Sequence, residues 1–335
     1  MAKRKETEYI FASSFVGNFV GKLMSEKDIM RVATARDLDA AESILKEFGY
    51  EESKELKEND IDAFMRRQQE ILVSQVYGNL PDEHELDFNL YPYDYHNAKV
   101  CLKFELMGKP IDESFLAPIG SIKADKLVTM IRERDYAFMP AHMKHAVIDA
   151  VDTYGRSKDP QVIDVILDKA CYAQMLENVK ESKTEYLENV VKTKIDALNL
   201  STFMRLKHLS KPWAVFKGVF VDGGNIDLQF FINNYEETYS RIAEHLEPYG
   251  FTEAVAEGGK ELNDKKSFSL FEKQRDNYVM DQISKAKYMS FGIEPIEGYW
   301  CAKERELDNL KIALTGNLYG FKPEETEERL RKTYV

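Results

Sequence analysis

Apolar residues recur every three or four positions along most of this chain. The spacing is clearest near the start, at Ala12, Phe15, Val16, Phe19, Val20 and Leu23. Such spacing places apolar side chains on one face of an α-helix. Residues 60–80, 160–180 and 268–290 also have the character of long helices, and strict alternation of polar and apolar residues is absent. The pattern therefore predicts an all-α protein.

Turn-forming residues predict where these helices begin and end. Ser25, followed three residues later by Asp28, predicts a capped helix start. Pro and Gly residues predict interruptions at 79–81, 154–160, 248–250 and 257–259. Residues 218–224 are the only place where a short extended piece is plausible, and an ordinary loop fits them equally well.

A pattern of an acidic residue, an Asn and a Lys-Pro pair occurs three times. Its members are Asp94, Asn97 and Pro110, then Asp196, Asn199 and Pro212, then Glu306, Asn309 and Pro323. The acid and the Asn are always 3 residues apart, and the Pro follows the Asn by 13, 13 and 14 residues. An acid and an Asn at this spacing share one helix face. We therefore expect one helix per copy, with the Lys in its last turn and the Pro just beyond.

A second landmark repeats in the same order. It consists of an apolar residue followed by an acid 8 positions later, at Ile29–Asp37, Leu127–Asp135 and Leu228–Glu236. A predicted turn precedes each segment, at residues 24–25, 120–121 and 223–225. Two independent landmarks, each present three times, predict a triplicated chain. We place the three helical repeats at residues 1–120, 121–222 and 223–335.

Composition excludes several classes of protein. The 335 residues carry a net charge of −12, which disfavours nucleic acid as the main partner because phosphate binding needs a basic surface. Three widely spaced cysteines do not form a disulfide framework. No apolar run approaches the ~18 residues that span a bilayer, so we expect no transmembrane segment.

Motifs for chemistry are weak. Residues 17–23 resemble a phosphate-binding loop, but they have one residue too few between the glycines and no preceding strand. His142 and His145 are close enough to share a helix face, yet no nearby Glu completes a zinc-protease motif. Two partly exposed histidines are the better interpretation. We predict no catalytic residue, no metal site and no cofactor.

The repeated Asn residues allow two interpretations. Asn97, Asn199 and Asn309 could be equivalent polar ligands around a central axis. Alternatively, each Asn bridges its own helix to neighbouring backbone within its own repeat. Buried polar groups usually find partners in the surrounding structure, so we prefer the second interpretation.

The chain resembles the C subunit of the prokaryotic V-type (A/V-type) ATPases and is similar to the d subunit of the eukaryotic enzyme. The resemblance covers the full length and is strongest in two segments. One is Tyr93–Asn97, and the other runs from Lys303 through Asn309 to the turn at residues 319–323. In the family the first is an Asp-x-His-Asn helix, and the second is a charged helix with an apolar-Gly turn.

The resemblance implies a funnel or cup of three helical lobes around a pseudo-three-fold axis. Such a protein sits peripherally on the cytoplasmic face of the membrane, on the proteolipid rotor ring, and receives the central-stalk subunits in its hollow. Its role would be mechanical and not enzymatic, coupling ATP hydrolysis or synthesis to proton or sodium ion transport. The extra residue between Asn309 and Pro323 departs from perfect equivalence of the three lobes.

Two other classes share these sequence features. A helical-repeat scaffold or adaptor would bind soluble partners without pump subunits. An α-helical enzyme would need a deep pocket with clustered ionisable groups of perturbed pKa.

Overall fold

The computed structural model describes residues 5–335 and folds them almost entirely into helices. No strand occurs in this range, so the all-α prediction is confirmed there. The α-helices are α1 (Ile10–Val20), α2 (Glu26–Ala33), α3 (Leu38–Glu47), α4 (Lys54–Lys57), α5 (Ile61–Tyr77), α6 (Tyr91–Leu106), α7 (Ala124–Glu133), α8 (Ala141–Ser157), α9 (Gln161–Ser182), α10 (Glu185–His208), α11 (Trp213–Val219), α12 (Leu228–Asn233), α13 (Tyr239–His245), α14 (Thr252–Lys265), α15 (Ser269–Ile283), α16 (Glu294–Tyr319) and α17 (Pro323–Arg329). Short 3-10 helices lie at Glu6–Tyr9, Asp87–Asn89, Glu113–Phe115, Glu247–Tyr249 and Ser284–Tyr288.

The described residues form two compact units. The first is Asp82–Tyr235, which contains α6 to α12. The second is discontinuous and joins residues 5–81 to Glu236–Val335, so it contains α1 to α5 and α13 to α17. The division into repeats 1–120, 121–222 and 223–335 is a different partition of the chain and stays a prediction.

The three acid–Asn patterns lie on the long helices α6, α10 and α16. The helices before them, α5, α9 and α15, coincide with the long helical stretches that the sequence predicts. The predicted cap also forms. The Ser25 hydroxyl accepts a hydrogen bond from the Asp28 backbone N–H (3.4 Å), and the Asp28 carboxylate accepts one from the Ser25 N–H (3.1 Å).

The three helices that carry the acid–Asn patterns, α6, α10 and α16, are each ended by a residue in the left-handed conformation. The three residues are Gly108, Ser210 and Gly320, with φ of 65°, 51° and 69°. Each follows its Asn by the same interval, because 108−97 = 210−199 = 320−309 = 11. A left-handed residue directs the chain away from the helix axis and ends the helix. The extra residue of the third copy therefore lies after Gly320 and before Pro323.

The predicted position of the lysines is wrong. The helices α6, α10 and α16 end at Leu106, His208 and Tyr319, three residues before the lysines at 109, 211 and 322. The lysines are not in the last helical turn because the left-handed residue has already turned the chain. Pro212 instead caps the start of α11, and Pro323 is the first residue of α17.

Two predicted interruptions are also misplaced. Gly258 and Gly259 lie inside α14, and Gly155 lies inside α8, which continues to Ser157. A Cβ on Gly258 would approach the Phe271 Cα to 2.6 Å, and one on Gly259 would approach the Tyr239 Cβ to 2.4 Å. The glycine pair therefore allows α14 to pack closely against its neighbours, and does not end the helix.

Each unit has its own apolar core. In the first, the Phe203 ring lies 5.6 Å from Phe216, 5.3 Å from Phe231 and 5.5 Å from Tyr235, measured between centroids. In the second, one cluster brings α2, α3 and α5 onto α16 through buried residues that include Ile29, Leu45, Phe64 and Leu310. These cores hold the long helices that carry the acid–Asn pairs.

Candidate functional site

The acid–Asn pair of α6 binds the chain segment that leads into α7. Asn97 donates from Nδ2 to the Ala117 carbonyl (3.2 Å) and accepts from the Ala117 N–H at Oδ1 (2.7 Å). The Asp94 carboxylate accepts from the N–H groups of Ser121 and Ile122, both at 3.0 Å. Asp94 and Asn97 are buried, so the two side chains replace water as partners of this backbone.

The pair on α10 binds the segment before α12 in the same way. Asn199 donates to the Val221 carbonyl (2.8 Å) and accepts from the Val221 N–H (3.0 Å). Asp196 accepts from the backbone N–H groups of Asn225 (3.1 Å) and Ile226 (3.0 Å). We call this arrangement of one acid and one Asn against a segment of backbone a clasp.

The clasp of α16 holds two separate segments of the chain. Asn309 donates to the Arg331 carbonyl (2.7 Å) and accepts from the Arg331 N–H (2.9 Å). Glu306 accepts from the Met24 N–H at 2.5 Å. Met24, Ile122 and Ile226 correspond, because each directly precedes the N-cap residue of the short helix that follows.

Glycine accompanies aspartate in the first two clasps. A Cβ on Gly120 would lie 2.3 Å from an Asp94 carboxylate oxygen, and one on Gly224 would lie 2.2 Å from Asp196. Glycine is therefore required where the short aspartate side chain must approach the turn. The third clasp has Lys22 at the corresponding position and uses the longer Glu306.

The third clasp also contains a buried polar cluster that no sequence pattern predicted. The Tyr50 hydroxyl donates to Glu306 (2.6 Å), and the Lys303 ammonium donates to Glu306 (2.6 Å) and to the Tyr50 oxygen (2.8 Å). Tyr50 is 256 residues from Glu306, so no local pattern connects them. The spacing of Lys303 and Glu306, three residues apart on one helix, was the only available signal.

Burial alters the ionisation of these groups. Desolvation raises the pKa of Asp94 to about 6, although its hydrogen bonds to Ser121 and Ile122 act in the opposite direction. Burial likewise raises the pKa of Asp196, opposed by its hydrogen bonds to Ile226 and Asn225. Burial, followed by the charge of Glu306, raises the pKa of Tyr50. In each clasp the acid and the Asn are hydrogen-bonded to backbone groups of the segment that they hold.

The weaker motifs do not form a site in the structure. Residues 17–20 are the last turn of α1 and not a loop after a strand. His145 is exposed, and His142 lies 2.9 Å from the Glu177 carboxylate beside an open groove of about 490 Å³. In residues 5–335, no three His, Cys, Asp or Glu side chains are placed to hold a metal ion. Helices in that range are also too short or too polar to cross a membrane.

Comparison with known proteins gives consistent matches along most of the chain. Residues 13–329 match the family described as ATP synthase (C/AC39) subunit. The C subunit of the A-type ATP synthase of Methanosphaera stadtmanae is 24% identical over 321 residues, covering 91% of this chain and 82% of the relative. The C subunit of the V-type sodium ATPase of Enterococcus hirae is 23% identical over 283 residues, covering 83% and 84%.

The family match extends from α1 to the last residue of α17, so it includes all three helices that carry the clasps. It also agrees with the resemblance seen in the sequence around Asn97 and Asn309. The chain belongs to the ATP synthase (C/AC39) subunit family, which includes the C subunits of A-type and V-type ATPases.

Proposed function

We propose that this chain is the central-rotor connector of an A/V-type ATPase, joining the proteolipid ring in the membrane to the central-stalk subunits. The observation that carries the proposal is the family match over residues 13–329. As such a connector, the chain is a non-catalytic subunit bound peripherally, through the ring, to the cytoplasmic face of the membrane. It links ATP hydrolysis or synthesis in the head to proton or sodium ion transport.

The clasps support the proposed division of the chain into three similar repeats. The acid of α6 binds the turn before α7, and the acid of α10 binds the turn before α12. The acid of α16 binds the turn before α2, near the start of the chain. In each case the acid of one proposed repeat, 1–120, 121–222 or 223–335, binds a turn that belongs to another, and this supports a chain of three similar units.

A connector that transmits torque must resist deformation, and the clasps provide that resistance. Each fixes an otherwise irregular loop to a long helix by hydrogen bonds to both backbone N–H and C=O groups, which are buried for Asn199 and partly buried for Asn309. Breaking such bonds without water to replace them costs about 1–3 kcal/mol per buried group. A loop held in this way moves with its helix, so a force applied to the helix is transmitted to the loop.

Reconstitution of the complex with and without this chain tests the proposal. ATP hydrolysis by the soluble head and ATP-driven ion uptake into vesicles are measured on the same preparations. Omission of the chain should leave hydrolysis by the head intact and abolish ion uptake, and adding the chain back should restore uptake. Undiminished uptake without the chain would contradict the connector role and favour an adaptor for soluble partners.

A further inference from the structure

A small pocket lies within the second unit, beside the buried polar cluster of the third clasp. Its volume is about 120 Å³, and α1, α5, α16 and the loop after α3 contribute to its lining. The lining includes four buried residues: Tyr50, Gln68, Leu72 and Tyr299. Three lining residues are exposed and mark the opening to solvent: Lys22, Gly49 and Glu51.

Gln68, on α5, is the clearest indication that the pocket has an occupant. The residue is only 8% exposed and lines the pocket, yet its side-chain amide forms no hydrogen bond with any other group in residues 5–335. Buried polar groups nearly always have a partner, and an exception indicates a bound water or ligand. Gln68 therefore offers an unused N–H₂ group and an unused oxygen inside the pocket.

Two further side chains keep unused donors at the same place. The Lys303 ammonium has three N–H groups, of which one binds Glu306 (2.6 Å) and one binds the Tyr50 oxygen (2.8 Å). Gln75 accepts the Tyr299 hydroxyl at Oε1 (3.0 Å), which leaves its N–H₂ group. Within the described part of the chain, neither the third Lys303 N–H nor the Gln75 N–H₂ has another partner. The pocket therefore presents several donors to a ligand.

The charge at the opening is positive. Lys22 is exposed and forms no ion pair with the rest of the described chain. A Cβ on Gly49 would lie 3.5 Å from the Lys22 ammonium, so this charge lies over the Gly49 backbone at the opening. Glu51 contributes a carboxylate to the lining, but it lies 3.5 Å from the Arg67 guanidinium. The charge of Lys22 is left unbalanced, and the pocket favours an anion.

The remaining walls are apolar and limit the size of a ligand. The rings of Phe19 and Tyr299 lie 6.0 Å apart between centroids, and Phe48, Ile71 and Leu72 also line the pocket. The volume of about 120 Å³ is slightly smaller than the cavity of about 150 Å³ that is known to hold one benzene molecule. A ligand of about six non-hydrogen atoms therefore fits.

We propose that this pocket binds a small carboxylate with a short alkyl chain, of the size of butyrate. The carboxylate accepts hydrogen bonds from Gln68, Gln75 and Lys303, and Lys22 balances its charge. The alkyl chain lies against the apolar walls, where it is removed from water. This binding site is independent of the proposed connector function.

Inorganic phosphate is the alternative anion, and the pocket suits it less well. Phosphate sites commonly use free backbone N–H groups. The nearest such groups are already used, because Lys22 donates to the Phe19 carbonyl (2.9 Å) and Leu23 donates to the Val20 carbonyl (3.2 Å). Phosphate also has no apolar part to contact the walls. A carboxylate with an alkyl chain uses both the donors and the walls.

Saturation-transfer NMR with sodium butyrate and the purified full chain tests the proposal. Aromatic protons of the protein are irradiated, and the butyrate signal is followed against concentration at constant ionic strength. Butanol serves as an uncharged probe, and inorganic phosphate is added as a competitor. The variants are Gln68→Leu and Lys22→Gln. The matched control is Lys27→Gln, an exposed lysine of the same unit outside the pocket lining. Circular dichroism verifies folding.

We expect saturable transfer to butyrate, strongest at its methyl group because the chain lies beside the aromatic rings. Gln68→Leu should bind butyrate about tenfold more weakly, since it loses a buried hydrogen bond to a charged group. Lys22→Gln should weaken binding about threefold, and this effect should shrink at high salt because the lysine is exposed. Lys27→Gln should bind as the wild type does. Butanol should bind about tenfold more weakly than butyrate.

Several outcomes would overturn the proposal. Absence of saturable transfer from the wild type would remove the site, and unchanged binding by both variants would place butyrate elsewhere on the protein. Equal binding of butanol would make the pocket purely apolar, and displacement of butyrate by an equal concentration of phosphate would assign the pocket to phosphate. If Gln68→Leu does not fold, Lys22→Gln and the comparison with butanol decide. All of these results leave the connector role intact, which ion uptake tests separately.

Discussion

Replacement of Asn199 by Ala should destabilise the first unit strongly. The side chain is buried and bonds both the N–H and the C=O of Val221, which is itself buried. Alanine leaves both backbone groups without a partner, at about 1–3 kcal/mol each. The better helix propensity of Ala returns about 0.5 kcal/mol. We therefore expect a net loss of about 2–5 kcal/mol.

Hydrogen exchange measures this loss at the place where it arises. The Val221 amide should exchange faster in Asn199→Ala by a factor of at least ten, and the urea midpoint of unfolding should fall. Asn189→Ala is the matched control because Asn189 is exposed on the same helix and gains the same helix propensity. We expect the control to be neutral or slightly more stable.

The other clasps should respond in the same way. Asn97→Ala and Asn309→Ala remove the same pair of bonds, to Ala117 and Arg331. Both substitutions should cost less than Asn199→Ala, because Ala117 and Arg331 are only partly buried and water can reach their backbone groups. A loss below about 0.5 kcal/mol for Asn199→Ala relative to its control, with unchanged exchange at Val221, would refute the clasp as a stabilising element. Loss of stalk binding without loss of stability would instead favour a ligand role for the Asn residues.

Three further changes test the local physics. Ser210→Gly should raise the free energy of unfolding by about 0.5–1 kcal/mol, because glycine adopts a φ of 51° without strain; a lower urea midpoint would contradict this. Gly258→Ala should lower the free energy of unfolding by about 1–3 kcal/mol, because its Cβ would overlap Phe271. Gly17→Ala is the control: no atom lies within 4 Å of its Cβ, so this substitution should raise the free energy of unfolding slightly. Desolvation raises the pKa of Asp94 to about 6, above the unfolded value near 4, so the folded state binds more protons between these pH values. The free energy of unfolding should therefore fall by up to about 3 kcal/mol as the pH rises from about 4 to about 6. Urea melts at several pH values measure this dependence, and Asp94→Asn should make the free energy of unfolding depend less on pH in that range.

The sequence was sufficient for features that depend on local spacing. Helical periodicity predicted α5, α9 and α15, and the interval between acid and Asn marked the three helices that hold loops. The predicted turns at 120–121 and 223–225 proved to be what Asp94 and Asp196 bind. In this way two landmarks that were separate in the sequence meet in the structure.

Features that depend on long-range packing were not predictable. Gly258 and Gly259 have the composition of a turn, and only the positions of Phe271 and Tyr239 explain why a helix continues through them. The cluster of Tyr50, Lys303 and Glu306 joins residues from opposite ends of the chain. The Lys-Pro pairs also did not predict that Met107, Leu209 and Tyr319, which precede them, are exposed. Exposure of a side chain depends on which other elements pack against it, and the local sequence does not show this.

Whether this chain connects ring and stalk is tested most directly by a bridging assay. Proteolipid ring in nanodiscs is immobilised, the central-stalk subunits are added, and their retention is measured with and without this chain. We predict that the stalk subunits are retained only when the chain is present, in a 1:1 ratio to it. Equal retention of the stalk without the chain, or binding of the chain to neither partner, would contradict the connector role.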